Sequence, residues 1–220
     1  MGGIAAFITA SVDSERLPRK YFLRLGDYSV IEHIVRRAEH FGFTPYLCVP
    51  HTDIGEFTAH TQCKNIMGGD PENREARLFE ASLKWDITHF HNIDGDDPFF
   101  DPYAVIESFN AGYRLSRVFP SYNSESGTGR VGTTYNLRAQ SSETRRLHDM
   151  REDYPWPQRL TLDYPEDYHL LVAVNRIVGG YMAPRKVIDD VFIRNPDLHK
   201  INWHRNAEWK ARQLNERRSG

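Results

Sequence analysis

Cysteine is scarce: this chain of 220 residues has two, Cys48 and Cys63. Neither belongs to a C-x-x-C pair, which argues against a zinc site, and nothing in their number calls for an oxidising compartment. Cys48 lies in the apolar run Tyr46-Leu47-Cys48-Val49 and reads as a buried thiol. An excess charge of one sign is also missing. Lys and Arg total 28 against 30 for Asp and Glu, a formal net charge of -2, so no strong field draws the chain to nucleic acid or to a membrane surface. No apolar run approaches the ~18 residues of a membrane-spanning helix. The apolar stretch Gly3 to Ala10 is too short for a secretory leader, with no basic segment before it. The expectation is a cytoplasmic protein with neither nucleic-acid nor membrane partners. Internal repeats and low-complexity linkers are lacking too. Hydrophobic residues at 40% and charged residues at 26% are ordinary for a globular protein. The length suits one sizeable core and is short for two, so residues 1–220 are expected to form a single domain.

What is present is an alternation of strand and helix patterns. Gly3 to Ala10 reads as a strand buried on both faces, as in a parallel sheet. A polar, basic loop, Ser11 to Lys20, follows it. Val30-Ile31-x-x-Ile34-Val35-x-x-Ala38 has helical spacing, and Ser29 with Glu32 forms a capping box at its start. Tyr46 to Val49 is a second strand. Arg74 to Trp85 is a helix with Leu78, Phe79 and Leu83 on one side, and Thr88 to Ile93 is a third strand. Asp101-Pro102 starts a helix through Ala104-Val105-Ile106, with proline at the first position. Val118-Phe119 and Val131 to Leu137 are strands around a Ser/Gly-rich loop at Asn123 to Gly129. Ser141 to Met150 is a short helix, and Arg159 to Leu162 a further strand. Pro165 to Val178 is a helix with Leu171, Val174 and Val178 in one stripe; a helical tail covers about 184–220. This order predicts an α/β fold: a three-layer, mostly parallel twisted sheet flanked by helices, Rossmann-like.

In open α/β sheets ligands bind beyond the carboxyl ends of the strands, where three charged loops should meet. Ser11-Val12-Asp13-Ser14-Glu15-Arg16-Leu17-Pro18-Arg19-Lys20 follows the first strand. Its arginines and lysine suit a polyphosphate, the former by bidentate bonds and the latter as a compact charge. A solvated basic turn has the same composition. Asp94-Gly95-Asp96-Asp97-Pro98 follows the third strand. Carboxylates there can hold Mg²⁺ together with phosphate oxygens and water, although Asp, Gly and Pro are also common turn residues. Asp163, in Leu162-Asp163-Tyr164-Pro165-Glu166-Asp167, is either a second metal ligand or, taken by itself, the N-cap of the next helix. His89 and His91 share a strand face and read as packed or half-exposed rather than metal-bound. Gly68-Gly69 with Asp70-Pro71 reads as a turn.

Taken in order, these segments resemble the cytidylyltransferases that activate KDO, sialic acids and related acceptors as CMP conjugates. The resemblance rests on Phe7-Ile8-Thr9-Ala10-Ser11-x-x-Ser14-x-Arg16-Leu17-Pro18-x-Lys20, on Gly26 to Ala38, on Gly69-Asp70-Pro71-Glu72 with Arg77, on the Asp94–Pro98 loop and on Asp163-Tyr164-Pro165-Glu166-Asp167. The tail Asn195-Pro196-Asp197-Leu198-His199-Lys200-Ile201-Asn202 resembles the SpsF-like spore-coat polysaccharide branch. The stretch from about 121 to 158 matches poorly and falls where an acceptor or dimerisation segment is expected. Ser11 stands where the family has an arginine, Arg19 where it frequently has glycine, and Asp27-Tyr28 where Lys-Pro is common.

The resemblance implies the fold of nucleotide-diphospho-sugar transferases and an enzyme that transfers CMP from CTP to a small acidic sugar, phosphate or phosphonate with release of pyrophosphate. By the same resemblance, Arg16, Lys20 and Asp96 are catalytic. Ala10, Ser11, Ser14, Arg16, Lys20, Asp70, Arg77, Asp94 and Gly95 bind the nucleotide. Asp96 and Asp163 hold Mg²⁺, and the protein is a homodimer. Two alternatives remain open at this point. Asp94-Gly95-Asp96 also fits the DxD pattern of metal-dependent GT-A-type glycosyltransferases, and Ser11 also fits an inactive nucleotide-binding protein.

Overall fold

Along the first strand, β1 (Ala5–Thr9), successive side chains take opposite faces. Ala6 and Ile8 join one apolar cluster, Ala5 and Phe7 another. A strand apolar on both faces needs cover on both, and it has it. The first cluster includes Ile31, Ile34 and Val35 of α1 (Val30–His40); the second includes Leu78 and Ala81 of α3 (Arg74–Lys84). This is the three-layer α/β arrangement read from the sequence.

The structure is a computed structural model that describes residues 3–87, 89–103, 105–106, 115–118, 132–136, 144–146, 158–209 and 211–212. The main sheet has seven strands in the order β5-β4-β1-β6-β8-β7-β9. Here β4 is Thr44–Pro50, β5 Ile66–Gly69, β6 His89–Asp94, β7 Leu115–Val118, β8 Gly132–Asn136 and β9 Thr144–Arg146. Pairings β1–β4, β1–β6, β4–β5 and β7–β9 are parallel; β8 runs antiparallel to β6 and β7. Two short strands, β2 (Arg24–Leu25) and β3 (Tyr28–Ser29), pair antiparallel across a turn where Gly26 has φ 70°. Further helices are α2 (Ile54–His60), α4 (Pro165–Val178) and α5 (Arg185–Arg194), and residues 102–103, 105–106 and 205–209 are also helical.

Several details differ from expectation. Glu32 does not turn back to close a capping box. Ser29 Oγ accepts from Glu32 N at 3.2 Å, while the Glu32 carboxylate accepts from Thr61 Oγ1 and Gln62 N and pairs with Arg36. On α3, Phe79 and Leu83 are exposed, because the buried stripe runs through Arg77, Leu78, Ala81 and Ser82. Residues 144–146, expected as helix, pair as strand β9 beside β7. Residues 159–162, expected as a strand, form none and do not join the sheet. Gly68 and Gly69 end β5 rather than forming a turn, and glycine is needed at the first of them. A Cβ at Gly68 would lie 2.5 Å from the backbone Cα of His51. The expected Asn123–Gly129 loop lies outside the described residues, as does 121–158 apart from β8, β9 and Gln158.

Two fastenings hold the site's loops to this frame. Arg37, fully buried near the end of α1, donates through Nε to Phe100 O at 2.9 Å and through Nη1 to Tyr181 O and Ala183 O at 2.7 and 2.8 Å. Burial pushes its pKa down to about 9. The second is Leu162 N, which donates to Asp96 O at 2.8 Å and lays the 158–163 segment along the end of β6.

Candidate functional site

β1 and β6 are neighbours and end level with each other, Thr9 opposite Asp94. The chain must then turn sharply, and Gly95 N donates to Thr9 O at 2.8 Å. A Cβ on Gly95 would sit 2.8 Å from Thr9 O and 3.0 Å from Ala10 Cβ, so the close approach requires glycine. Beyond these ends opens a cleft of about 230 Å³. Ala10 and Ser11 line one part of it, Arg74 and Arg77 of α3 another, and Asp94 and Asp96 also line it.

Beside the cleft the structure brings Asp96 and Asp163 to one ammonium. Lys20 Nζ lies 2.7 Å from Asp96 Oδ2 and 3.2 Å from Asp163 Oδ1. Arg16 Nη2 donates to Asp163 Oδ1 at 2.8 Å while its guanidinium lies over the Tyr164 ring. Burial alone would lower the Lys20 pKa, but the charges of Asp96, Tyr21 and Asp163 outweigh it and hold the amine well above its ordinary value. Burial likewise would raise Asp163, yet Lys20, Arg16 and Arg159 together keep it below the usual carboxylate range. The next acid in the loop goes the other way. Asp97 is buried beside Asp96 and Asp94, which raises its pKa well above normal. Thr161 Oγ1 donates to its Oδ1 at 2.7 Å.

The other anticipated residues fall as follows. Asp94 Oδ1 accepts from Asn92 Nδ2 at 3.1 Å and Thr9 Oγ1 at 3.4 Å, and pairs with Arg74 Nη1 at 3.3 Å. Arg77 is buried, with Nη1 donating to Asp70 O at 2.7 Å and Pro71 O at 3.1 Å. The Asp70 carboxylate is turned into its own loop, accepting from Glu72 N and Asn73 N at 2.9 Å each. Ser14 is half-buried and has no described part in the cleft wall. Arg19 does not stand in for the charge missing at Ser11. Its φ is 57°, and its side chain reaches Glu56 on α2 and covers Phe22. Asp163 is not the helix cap. Tyr164 holds that position, and Asp167 Oδ2 accepts from the backbone N of both Asp163 and Tyr164 at 2.9 Å.

The sequence reading missed Arg159, the buried support of Asp163. Its Nη2 donates to Asp163 Oδ2 at 3.1 Å, its Nε to Asp167 Oδ1 at 3.0 Å and its Nη1 to Asn206 Oδ1 at 3.2 Å. A signal existed. Arg159, Thr161 and Asp163 alternate with Leu160 and Leu162 of the apolar core, the period of two that sets polar residues on one face and apolar ones on the other. Asn202, which donates through Nδ2 to Arg159 O and Asp167 Oδ1 at 2.8 Å each, gave no such signal. Among the described residues no group of three or more His, Cys, Asp or Glu is placed to hold a metal. A cation between Asp96 and Asp163 would therefore take two carboxylates and complete its shell from ligand and water, as Mg²⁺ commonly does. A unit positive charge, the Lys20 ammonium, already sits between them. No helix among the described residues is long and apolar enough to cross a membrane.

No family model matches the sequence, and no curated protein matches it. Solved structures do match. A cytidylyltransferase from Leptospira borgpetersenii serovar Hardjo-bovis (strain JB197) superposes with a TM-score of 0.67 at 16% identity, covering 90% of this chain and 97% of that one. The chain shares its fold. Rv0371c from Mycobacterium tuberculosis H37Rv, in complex with manganese, gives 0.53 at 14% identity over 78% and 98%. The 4-diphosphocytidyl-2C-methyl-D-erythritol synthase of Anaerococcus prevotii DSM 20548 gives 0.54 at 12% over 80% and 97%. At these identities the likeness establishes the mostly parallel, helix-flanked α/β fold.

Proposed function

We propose that this chain is a Mg²⁺-dependent nucleotidyltransferase that moves CMP from CTP onto a small acidic sugar, phosphate or phosphonate and releases pyrophosphate. The observation that carries the reading is the convergence of Asp96 and Asp163 on Lys20, next to a cleft edged by Arg74 and Arg77. The shared fold of a named cytidylyltransferase supports it, and a neighbour in complex with manganese fits a divalent cation. The motif resemblance extends the proposal to CTP as donor, to an SpsF-like place in polysaccharide biosynthesis and to a cytoplasmic homodimer.

Asp96 and Asp163 would hold the cation, which when bound supplies Lewis-acid polarisation at the α-phosphate. Arg16 and Lys20 neutralise the β- and γ-phosphates and stabilise the departing pyrophosphate. For Lys20 this means exchanging carboxylate partners for phosphate ones. The exchange is local, because the side chain is already buried at the junction of the loops. Gly95 lets the ends of β1 and β6 meet closely at the floor of the cleft. An acceptor that is already an oxyanion needs no strong base, so positioning and charge neutralisation supply most of the rate.

The test is pyrophosphate release from CTP with Mg²⁺ across a panel of 3-deoxy-2-keto sugar acids, sugar phosphates and phosphonates, with Asp96→Ala as control. Release that Asp96→Ala abolishes supports the proposal. UDP release from a UDP-sugar would instead assign the Asp94-Gly95-Asp96 loop to glycosyl transfer. CTP binding without turnover across the panel would mark a nucleotide-binding protein.

A further inference from the structure

We infer that Arg74 is a phosphate ligand of the nucleotide, supplying from α3 the guanidinium that the loop after β1 lacks at Ser11. This rests on the nucleotidyltransferase reading and adds a residue to it. A triphosphate entering the cleft meets two carboxylates, Asp94 and Asp96, and needs cations to offset both those charges and its own. On the β1 side the cleft offers a hydroxyl at Ser11. On the α3 side it offers Arg77 and Arg74. Arg77 is buried and fastened to the carbonyls of Asp70 and Pro71, so it shapes the 70–73 loop. Arg74 is different. Its side chain is 39% exposed, and it pairs with Asp94 at 3.3 Å and Glu75 at 3.4 Å. Both distances exceed the 2.7–2.9 Å of strong charge-assisted bonds. Each of these two solvated pairs is weak enough to be exchanged at little cost.

Helix stability does not explain an arginine there. Arg74 is the first residue of α3, where the helix dipole disfavours a cation. The helix start is already capped by Asn73, whose side chain accepts from Ala76 N at 3.0 Å. An arriving phosphate would draw the guanidinium off Asp94, which keeps its bonds from Asn92 and Thr9. The pair with Asp94 thus keeps Arg74 at the cleft edge before the nucleotide comes.

The experiment is calorimetric titration of the full chain with CTP and Mg²⁺ at two salt concentrations. Binding of cytidine, which has no phosphate, is followed in parallel by ligand-observed NMR. Wild type, Arg74→Lys and Arg74→Met are compared, with thermal unfolding to establish that all three fold. Loss of one charge-assisted contact predicts CTP binding weakened roughly ten- to a hundredfold in Arg74→Met, less in Arg74→Lys. The salt dependence should be shallower in Arg74→Met and cytidine binding unchanged. CTP affinity within twofold of wild type in a folded Arg74→Met overturns the assignment and leaves the functional reading standing. An equal loss for cytidine and CTP also overturns it, because Arg74 would then serve the nucleoside or the fold. A wild-type protein that binds no CTP overturns both.

Discussion

The ammonium of Lys20 rests 2.7 Å from Asp96 Oδ2 and also reaches Asp163, 3.2 Å away. The lysine thus fills the position between the two carboxylates proposed to hold the metal. A divalent cation entering there must displace a buried unit charge.

It follows that metal affinity in the absence of nucleotide is set against Lys20. Lys20→Met is expected to bind Mn²⁺ alone at least tenfold more tightly than wild type, since like charges a few ångströms apart repel by about 4 kcal/mol at an effective dielectric of 20. The same variant should lose most CTP turnover. Electron paramagnetic resonance titration of free Mn²⁺ measures the first effect, and equal affinities would refute the competition.

Removing Arg159 should be costly for stability. It is buried with Asp163 and Asp167 as ionic partners, and taking away one side of a buried ion pair costs about 3–5 kcal/mol. Urea unfolding of Arg159→Met is expected to show a loss of that size. A loss below about 1 kcal/mol would mean that Lys20 and Arg16 hold Asp163, and Asn202 holds Asp167, without it.

Arg19 is expected to be a site where glycine stabilises. Its left-handed backbone, φ 57°, costs an L-residue about 1–2 kcal/mol, whereas the pair of the exposed guanidinium with the half-buried Glu56 is solvated and contributes about 0–1 kcal/mol. Glycine also gains freedom in the unfolded chain, which offsets part of the relief. Arg19→Gly should therefore raise the unfolding free energy modestly, by about 0.5 kcal/mol. It should also leave CTP binding unchanged, because the side chain faces α2. A drop in CTP affinity would place Arg19 in the site after all.

Stability should fall on mild acidification. His33 and His91 are buried, which pushes each pKa down to about 3 from 6.5; for His33 the nearby Arg37 adds to the effect. Between those values the unfolded chain binds more protons than the folded one, so stability rises with pH there and is lost as pH falls below about 6.5. Each histidine contributes a slope of about 1 kcal/mol per pH unit. Asp163, held low, adds a loss in the same direction at more acidic pH. Asp97, held high, works oppositely, favouring the fold where its carboxyl is protonated. Thermal unfolding from pH 7 to 4 should show a steep decline that His91→Gln makes shallower; an unchanged slope would mean His91 titrates normally.

Much of the fold was legible because period and punctuation are local. Continuous apolar residues identified β1, the 3.6-residue stripe identified α1, and Pro165 marked the start of α4. Errors arose where a local pattern had two physical solutions. Residues 144–146 pair as a strand beside β7. Phe79 and Leu83 lie on the exposed side of a helix whose buried stripe includes the polar Arg77 and Ser82. The acidic and basic loops were readable as charge clusters, but their partners were not. Arg74 belongs to a different turn from Asp94, and Asn202 lies far along the chain from Arg159.

The amino-acid order alone determined the layer architecture and which loops would carry charge. Both depend on residues within a few positions of one another. Only the tertiary structure decided that Asp96 and Asp163 would face the same ammonium, that Arg19 would turn away to Glu56, and that Arg159 would stand behind Asp163. Such contacts depend on where separate strands end in space and on which buried charges must find a counter-charge.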